Sequence, residues 1–142
     1  MLVINPYLNF NGNCEQAFDF YKSVFGGEFL SKSRFKDGPK DNPVAPGEAE
    51  KILHVSLPIG KTNILMGSDC PSAWGKVSMG SNFSISVHPD SEKAATKLFN
   101  ALAVGGKILM PLQKMFWGAY FGMCVDQFGI QWMVNFEYGA AQ

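Results

Sequence analysis

Hydrophobic positions along this chain change period in a fixed order, and then do so a second time. Leu2–Phe10 reads as a strand, ended by Asn9, Asn11 and Gly12. Behind Asn13, a candidate N-cap, Ala17, Phe18, Tyr21, Val24 and Phe25 recur at helical spacing and predict a helix over about Cys14–Phe25. Gly26-Gly27 stops it, one glycine taking the left-handed conformation, and Glu28–Phe35 returns to strand. The stretch KDGPKDNPVAPGEA at 36–49, with three prolines and two glycines, predicts a long exposed loop. Strands Lys51–Ile59 and Thr62–Ser68 follow, joined by a tight turn at Gly60-Lys61.

The second pass has the same grammar. Asn82–His88 is a strand, Pro89, Asp90 and Ser91 open a helix, and Ala94, Ala95, Leu98, Phe99 and Leu102 form its stripe. Gly105-Gly106 ends it. Strands Lys107–Leu112, Trp117–Val125 and Ile130–Phe136 follow, the last two joined by the turn DQFG at Asp126–Gly129. Each half is βαβββ, an α+β class. The whole is one domain, 1–142, with a first module at about 1–68, a linker at 69–81 and a second module at about 82–138. Glu15 and Ala17 match Glu92 and Ala94 at an offset of 77 (92−15), whereas Gly26-Gly27 matches Gly105-Gly106 at 79 (105−26), so the second helix is expected to gain about two residues. Two half-barrels of this kind predict a concave sheet with a site between them.

Composition narrows the partners. At 46% hydrophobic and 17% charged the chain can bury a core, and a formal net charge of zero without a Lys/Arg cluster gives nucleic acid or an anionic membrane no electrostatic handle. MLVINPYLNFNG lacks the basic and apolar regions of a signal peptide, and no apolar run approaches a membrane span. Cys14, Cys70 and Cys124 are odd in number and scattered, which argues against a disulfide framework and for a reducing cytoplasmic setting.

Few residues carry chemistry. His54 lies on the strand ILHVSLP, where alternation puts Ile52, His54 and Ser56 on one face and Leu53, Val55 and Leu57 on the other. Its readings are an acid/base or hydrogen-bonding group on a cavity wall, or a buried histidine satisfied across the sheet. Asn5, Tyr7 and Asn9 share one face of the first strand, a polar cavity wall or an ordinary polar sheet face. Trp117, Tyr120, Phe121, Trp132 and Phe136 cluster in the last hairpin, where Trp117 and Trp132 are the pocket candidates and the others core. Trp74 and Met79 sit in the linker, placed to close a pocket or a subunit contact. His88 is read as a turn residue, and Asp126 as the organiser of its turn. Cys124 has no positioned base beside it. There is no phosphate loop, zinc-spaced Cys/His set, serine elbow or Rossmann turn for a methyl donor.

PYLNFNGNCEQAFDFYKSVFGG (Pro6–Gly27), ILHVSLPIGKTNILMGSD (Ile52–Asp69) and FWGAYFGMCVDQFGIQWMVN (Phe116–Asn135) together resemble the vicinal oxygen chelate superfamily of glyoxalases, bleomycin-resistance proteins and extradiol dioxygenases, and within it the PhnB-like, 3-demethylubiquinone 3-methyltransferase-like branch. The resemblance spans nearly the whole chain. It implies a homodimer, a glyoxalase/bleomycin-resistance-like pair of half-barrels, and a divalent metal on inner strand positions. Those positions align here with Asn5 and Asn82 on the first strands and Met66 and Met133 on the last. An Asn₂Met₂ set offers no anion and two soft thioethers, so neither metal nor other cofactor is expected. Three functions follow: a metal-free small-molecule-binding protein using Asn5, Tyr7, His54, Met66, Asn82, Trp117, Trp132 and Met133; a glyoxalase-like lyase or isomerase with His54 catalytic; or a structural or regulatory dimer with a vestigial cavity.

Overall fold

The computed structural model describes residues 1–39 and 44–139. Its elements run β1 (Tyr7–Phe10), α1 (Cys14–Phe25), β2 (Ser31–Arg34), β3 (Ile52–Ile59), β4 (Asn63–Asp69), β5 (Ile85–Val87), α2 (Glu92–Ala103), β6 (Lys107–Lys114), β7 (Ala119–Val125) and β8 (Gln131–Glu137), with short 3₁₀ turns at Phe35–Asp37 and Ser72–Trp74. The strands form two mixed four-stranded sheets ordered β1-β4-β3-β2 and β5-β8-β7-β6. Two compact units result, Met1–Ser78 and Met79–Gln142, each βαβββ. The predicted first strand is shortened: residues 1–6 precede β1, and Met1, Leu2 and Ile4 are exposed. Of the predicted loop, residues 40–43 lie outside the described residues, and Phe35–Asp37 is a 3₁₀ turn.

In the first unit, α1 buries Cys14, Ala17, Phe18 and Tyr21 against Leu8, Phe10, Ile52, Val55, Leu57 and Leu65. Each large apolar side chain removed from water contributes about 1.5–3 kcal/mol. Phe18 meets Phe10 and Tyr21 edge-on, at centroid distances of 6.2 and 5.5 Å. The approach is close enough to require glycine: a Cβ on Gly67 would lie 2.6 Å from the Phe18 ring. Gly67 pairs with Val55. In the second unit the same pair is reversed, with Gly122 beneath Phe99 paired to Val134. One glycine per helix therefore makes the room, on β4 in one unit and on β7 in the other.

Register corrects the alignment of the halves. Tyr7 pairs with Met66 and Ser86 pairs with Met133, so Tyr7 corresponds to Ser86, and Asn5, two residues earlier, to Ser84 rather than Asn82. Asn82 is exposed in the bend before β5, outside any strand. The two helices are equal at 12 residues, so the second does not gain the two residues expected; the one extra residue, Val104, sits in the connection before Gly105-Gly106.

Asn13 takes the N-cap position predicted for α1, but the capping bonds come from another residue. Asn13 makes no side-chain capping bond. Buried Asp69, at the end of β4, instead accepts from the Gly12 and Cys14 amides at 2.9 and 3.0 Å with one oxygen, and from Ile52 N–H at 2.8 Å with the other. In α2 the expected cap forms, with Ser91 Oγ accepting from Ala94 N–H at 3.0 Å.

Edge strand β2 is clamped to α1 by charge. Arg34 donates to both oxygens of Glu15 at 3.0 and 2.6 Å, and Lys32 Nζ reaches Glu15 at 2.6 Å. These bonds, Arg34 first, hold the Glu15 carboxyl down at about 2. A folded-state value below the unfolded value of about 4.3 means the stabilisation is present above pH ~5 and fades as pH falls towards 2. Glu15→Gln should flatten that limb of the urea-midpoint-versus-pH curve. The loss at neutral pH should be about 1 kcal/mol or less, because the carboxylate side chain is 36% exposed and screened.

Candidate functional site

The helix takes one face of the first sheet, and alternation gives the other face a different chemistry. Tyr7, Met66, Ser56 and Ser31 form one continuous cross-strand row over β1, β4, β3 and β2. Ser31 and Ser56 hydroxyls bond at 2.9 Å. His54 pairs with Ser33 on β2. The Tyr7 hydroxyl lies 3.3 Å from His54 Nδ1, with ring centroids 5.7 Å apart at a 36° tilt. The open face thus brings together Tyr7, His54 and Met66, and adds Ser31, Ser33 and Ser56. The Ser-x-Ser spacing at 31–33, opposite His-x-Ser at 54–56, was the signal for the serines.

A bulge alters the predicted faces of β3. The register jumps from Ser33–His54 to Arg34–Ile52, leaving Leu53 as the extra residue. Ile52 consequently joins Val55 and Leu57 in the core, while Leu53 turns outward, 41% exposed. Leu53, immediately before His54, is one wall of a hollow of about 520 Å³ shared with Phe35, Val44, Pro71, Ala73 and Trp74. That volume falls within the range of small-molecule sites. Glu48 on its margin is already engaged, accepting from Lys51 Nζ at 3.0 Å and Ser72 N–H at 2.9 Å, which with the Ser72 bonds foremost keeps its carboxyl below the usual range.

The other expected site residues are distributed differently. Asn5 Oδ1 accepts from Ile64 N–H at 3.0 Å, extending the β1–β4 pairing beyond the end of β1. Met133 pairs with Met123, and Met123 with Met110, on the second sheet. Trp117 is exposed, edge-on to Phe116 and near Phe121. Trp132 is 1% exposed and gives its indole N–H to Asp126 at 2.8 Å, so it is part of the core. Burial raises the thiols of Cys14 and Cys124, the latter to about 11, which leaves neither as a thiolate nucleophile near neutrality.

Residues 3–135 match the family described as 3-demethylubiquinone-9 3-methyltransferase. The chain belongs to that family. Several known proteins are similar to it over most of its length. Protein YjdN of Escherichia coli (strain K12) is 34% identical over 145 residues, covering 94% of this chain and 95% of that one. The crystal structure of protein PA1353 from Pseudomonas aeruginosa has a TM-score of 0.86 at 44% identity, over 96% of this chain and 98% of that one. The PhnB protein from Bacillus cereus scores 0.72 at 27% identity, over 95% and 99%. The fold alone is shared with a glyoxalase/bleomycin resistance protein/dioxygenase family enzyme from Burkholderia phytofirmans, TM-score 0.60 at 18% identity, over 93% and 97%.

The groups these relationships imply can be tested against the side chains. For a divalent metal, the inner positions offer Tyr7 and Met66 in one unit and Ser86 and Met133 in the other, and the amide oxygen of Asn5 is occupied. No carboxylate is among them, and among the described residues no three His, Cys, Asp or Glu gather into a metal-sized group. That donor set does not fit a hard or borderline dication. For a methyl donor the natural cradle is a strand-to-helix turn with free amides. At the β1–α1 turn the Gly12 and Cys14 amides are taken by Asp69, and at the β5–α2 turn Ser91 fills the cap.

Proposed function

We propose that this member of the PhnB-like family is a metal-free small-molecule-binding protein, working as a homodimer in the cytoplasm, with its ligand on the open face of the first sheet. The observation that carries the reading is a bonded Tyr7–His54 pair on an otherwise uncharged hydroxyl-lined face, next in the chain to an apolar hollow of about 520 Å³. Such a surface suits a ligand with an apolar body and an oxygen-bearing head. Exposed Met1, Leu2, Ile4 and Phe83 support a second copy as partner, and the three free cysteines are in keeping with a reducing compartment. No helix among the described residues is long and apolar enough to cross a membrane.

The test is a thermal-shift screen of apolar compounds bearing carbonyl, amide or carboxylate groups, with light scattering to weigh the assembly. A ligand at a hundredfold excess over its Kd stabilises by about 2.7 kcal/mol, roughly 5–10 °C for a chain of this size. His54→Ala should abolish most of that shift. A complete absence of hits, or hits indifferent to His54, refutes the reading; a mass of one chain refutes the dimer. The same Tyr7–His54 contact favours one second reading, a glyoxalase-like lyase or isomerase in which His54 moves a proton. Turnover of a hit, lost in His54→Ala, would establish it.

A further inference from the structure

Resting on the binding reading above, we infer that Tyr7 is a positioning residue: it fixes the tautomer of His54 so that the imidazole presents Nε2–H to the open face, and the ligand is taken through a hydrogen-bond-accepting oxygen. A neutral imidazole carries one N–H and one acceptor nitrogen, and the bond made by one nitrogen decides what the other offers. Nδ1 is the nitrogen in contact with Tyr7, at 3.3 Å. Of the two ways that contact can be made, the phenol O–H is the better donor and the imidazole nitrogen the better acceptor, because the phenol oxygen shares its lone pair with its ring. Nδ1 therefore accepts, and the proton sits on Nε2. His54 makes no hydrogen bond through Nε2 to any described residue, although the ring is only partly exposed.

The surroundings narrow the ligand atom that Nε2–H can meet. Ser33 faces His54 across the β2–β3 pair, and Ser31 and Ser56 are bonded to each other one row away. The nearest ionised groups of the same strands, Lys32 and Arg34, are held by Glu15 against the helix side. An uncharged donor among hydroxyls selects a carbonyl, amide or carboxylate oxygen. A cationic head would find no counter-charge there.

Nitrogen-15 NMR of histidine-labelled protein, above the pH at which the imidazoles are neutral, tests this directly. His88→Asn removes the only other imidazole and assigns the signals. The expected result is Nε2–H alone with Nδ1 displaced from the free-acceptor position, and in Tyr7→Phe the loss of that displacement together with a measurable share of the Nδ1–H tautomer. A proton on Nδ1 in the unmodified protein overturns the inference, as does an Nδ1 signal indifferent to Tyr7→Phe. Acetate serves as the oxygen probe. Its addition should move the Nε2–H signal of His54, less so in Tyr7→Phe, and no movement up to high concentration overturns the ligand class. Tyr7 is 43% exposed, so the variant should fold. The tautomer is read without any ligand, so its failure is separable from a failed thermal-shift screen.

Discussion

Asp69→Ala should lower the free energy of unfolding by about 3–5 kcal/mol, with the urea midpoint falling and the slope unchanged. The side chain is 3% exposed and its two oxygens accept three backbone N–H groups. Two of these donors belong to the start of α1 and the third to the start of β3. Alanine strands them together at a place where little water enters, and each unsatisfied buried donor costs about 1–3 kcal/mol. Asp69→Asn should recover part of the loss, since one oxygen remains while the amide nitrogen is turned towards an N–H. The open face should register the change too, because Asp69 is what joins the end of β4 to the first residue of β3, two positions before His54. A loss under about 1 kcal/mol for alanine would show that the three amides find other partners.

Asp69 also marks where the sequence stops being legible. The periodic stripes place α1 at Cys14–Phe25, and the turns at Gly60-Lys61 and DQFG bracket β3, β4, β7 and β8 to within a residue or two. All of that is local. Asn13 does stand at the N-cap, but the side chain that accepts from the first amides is Asp69, 55 residues away from Cys14. The bulge at Leu53 is likewise set by pairing with β2, and a strict period of two through ILHVS cannot foresee it. Asn82 lies two residues off for a related reason: aligning the strands of the two halves by sequence leaves a slip of two residues open, which keeps the face and loses the position. Tyr7 and His54, by contrast, were readable as members of polar faces, and register on the central strand β4 is what brings those faces together. A tryptophan beside a hairpin turn looks available until the partner of its N–H is known, and for Trp132 that partner is Asp126.

That partner gives the second large expectation. Asp126→Ala should destabilise the protein by about 3 kcal/mol, and a double-mutant cycle with Trp132→Phe should return a coupling of about 1–2 kcal/mol. Asp126 is 3% exposed; one oxygen accepts from the Phe128 and Ile130 amides at 2.8 and 3.1 Å, the other from the Trp132 indole at 2.8 Å. The first two bonds shape the DQFG turn, the third orients the largest fully buried side chain of the molecule. Trp132→Phe alone loses the N–H and leaves a void, about 2 kcal/mol. If the carboxylate served the turn only, the two losses would add and the coupling would vanish. The readout is fluorescence-monitored urea unfolding in a Trp74→Phe, Trp117→Phe background, with circular dichroism for variants lacking Trp132. Fixing Trp132 on the helix side of β8 forces Met133, the next residue, to the opposite face beside Met123.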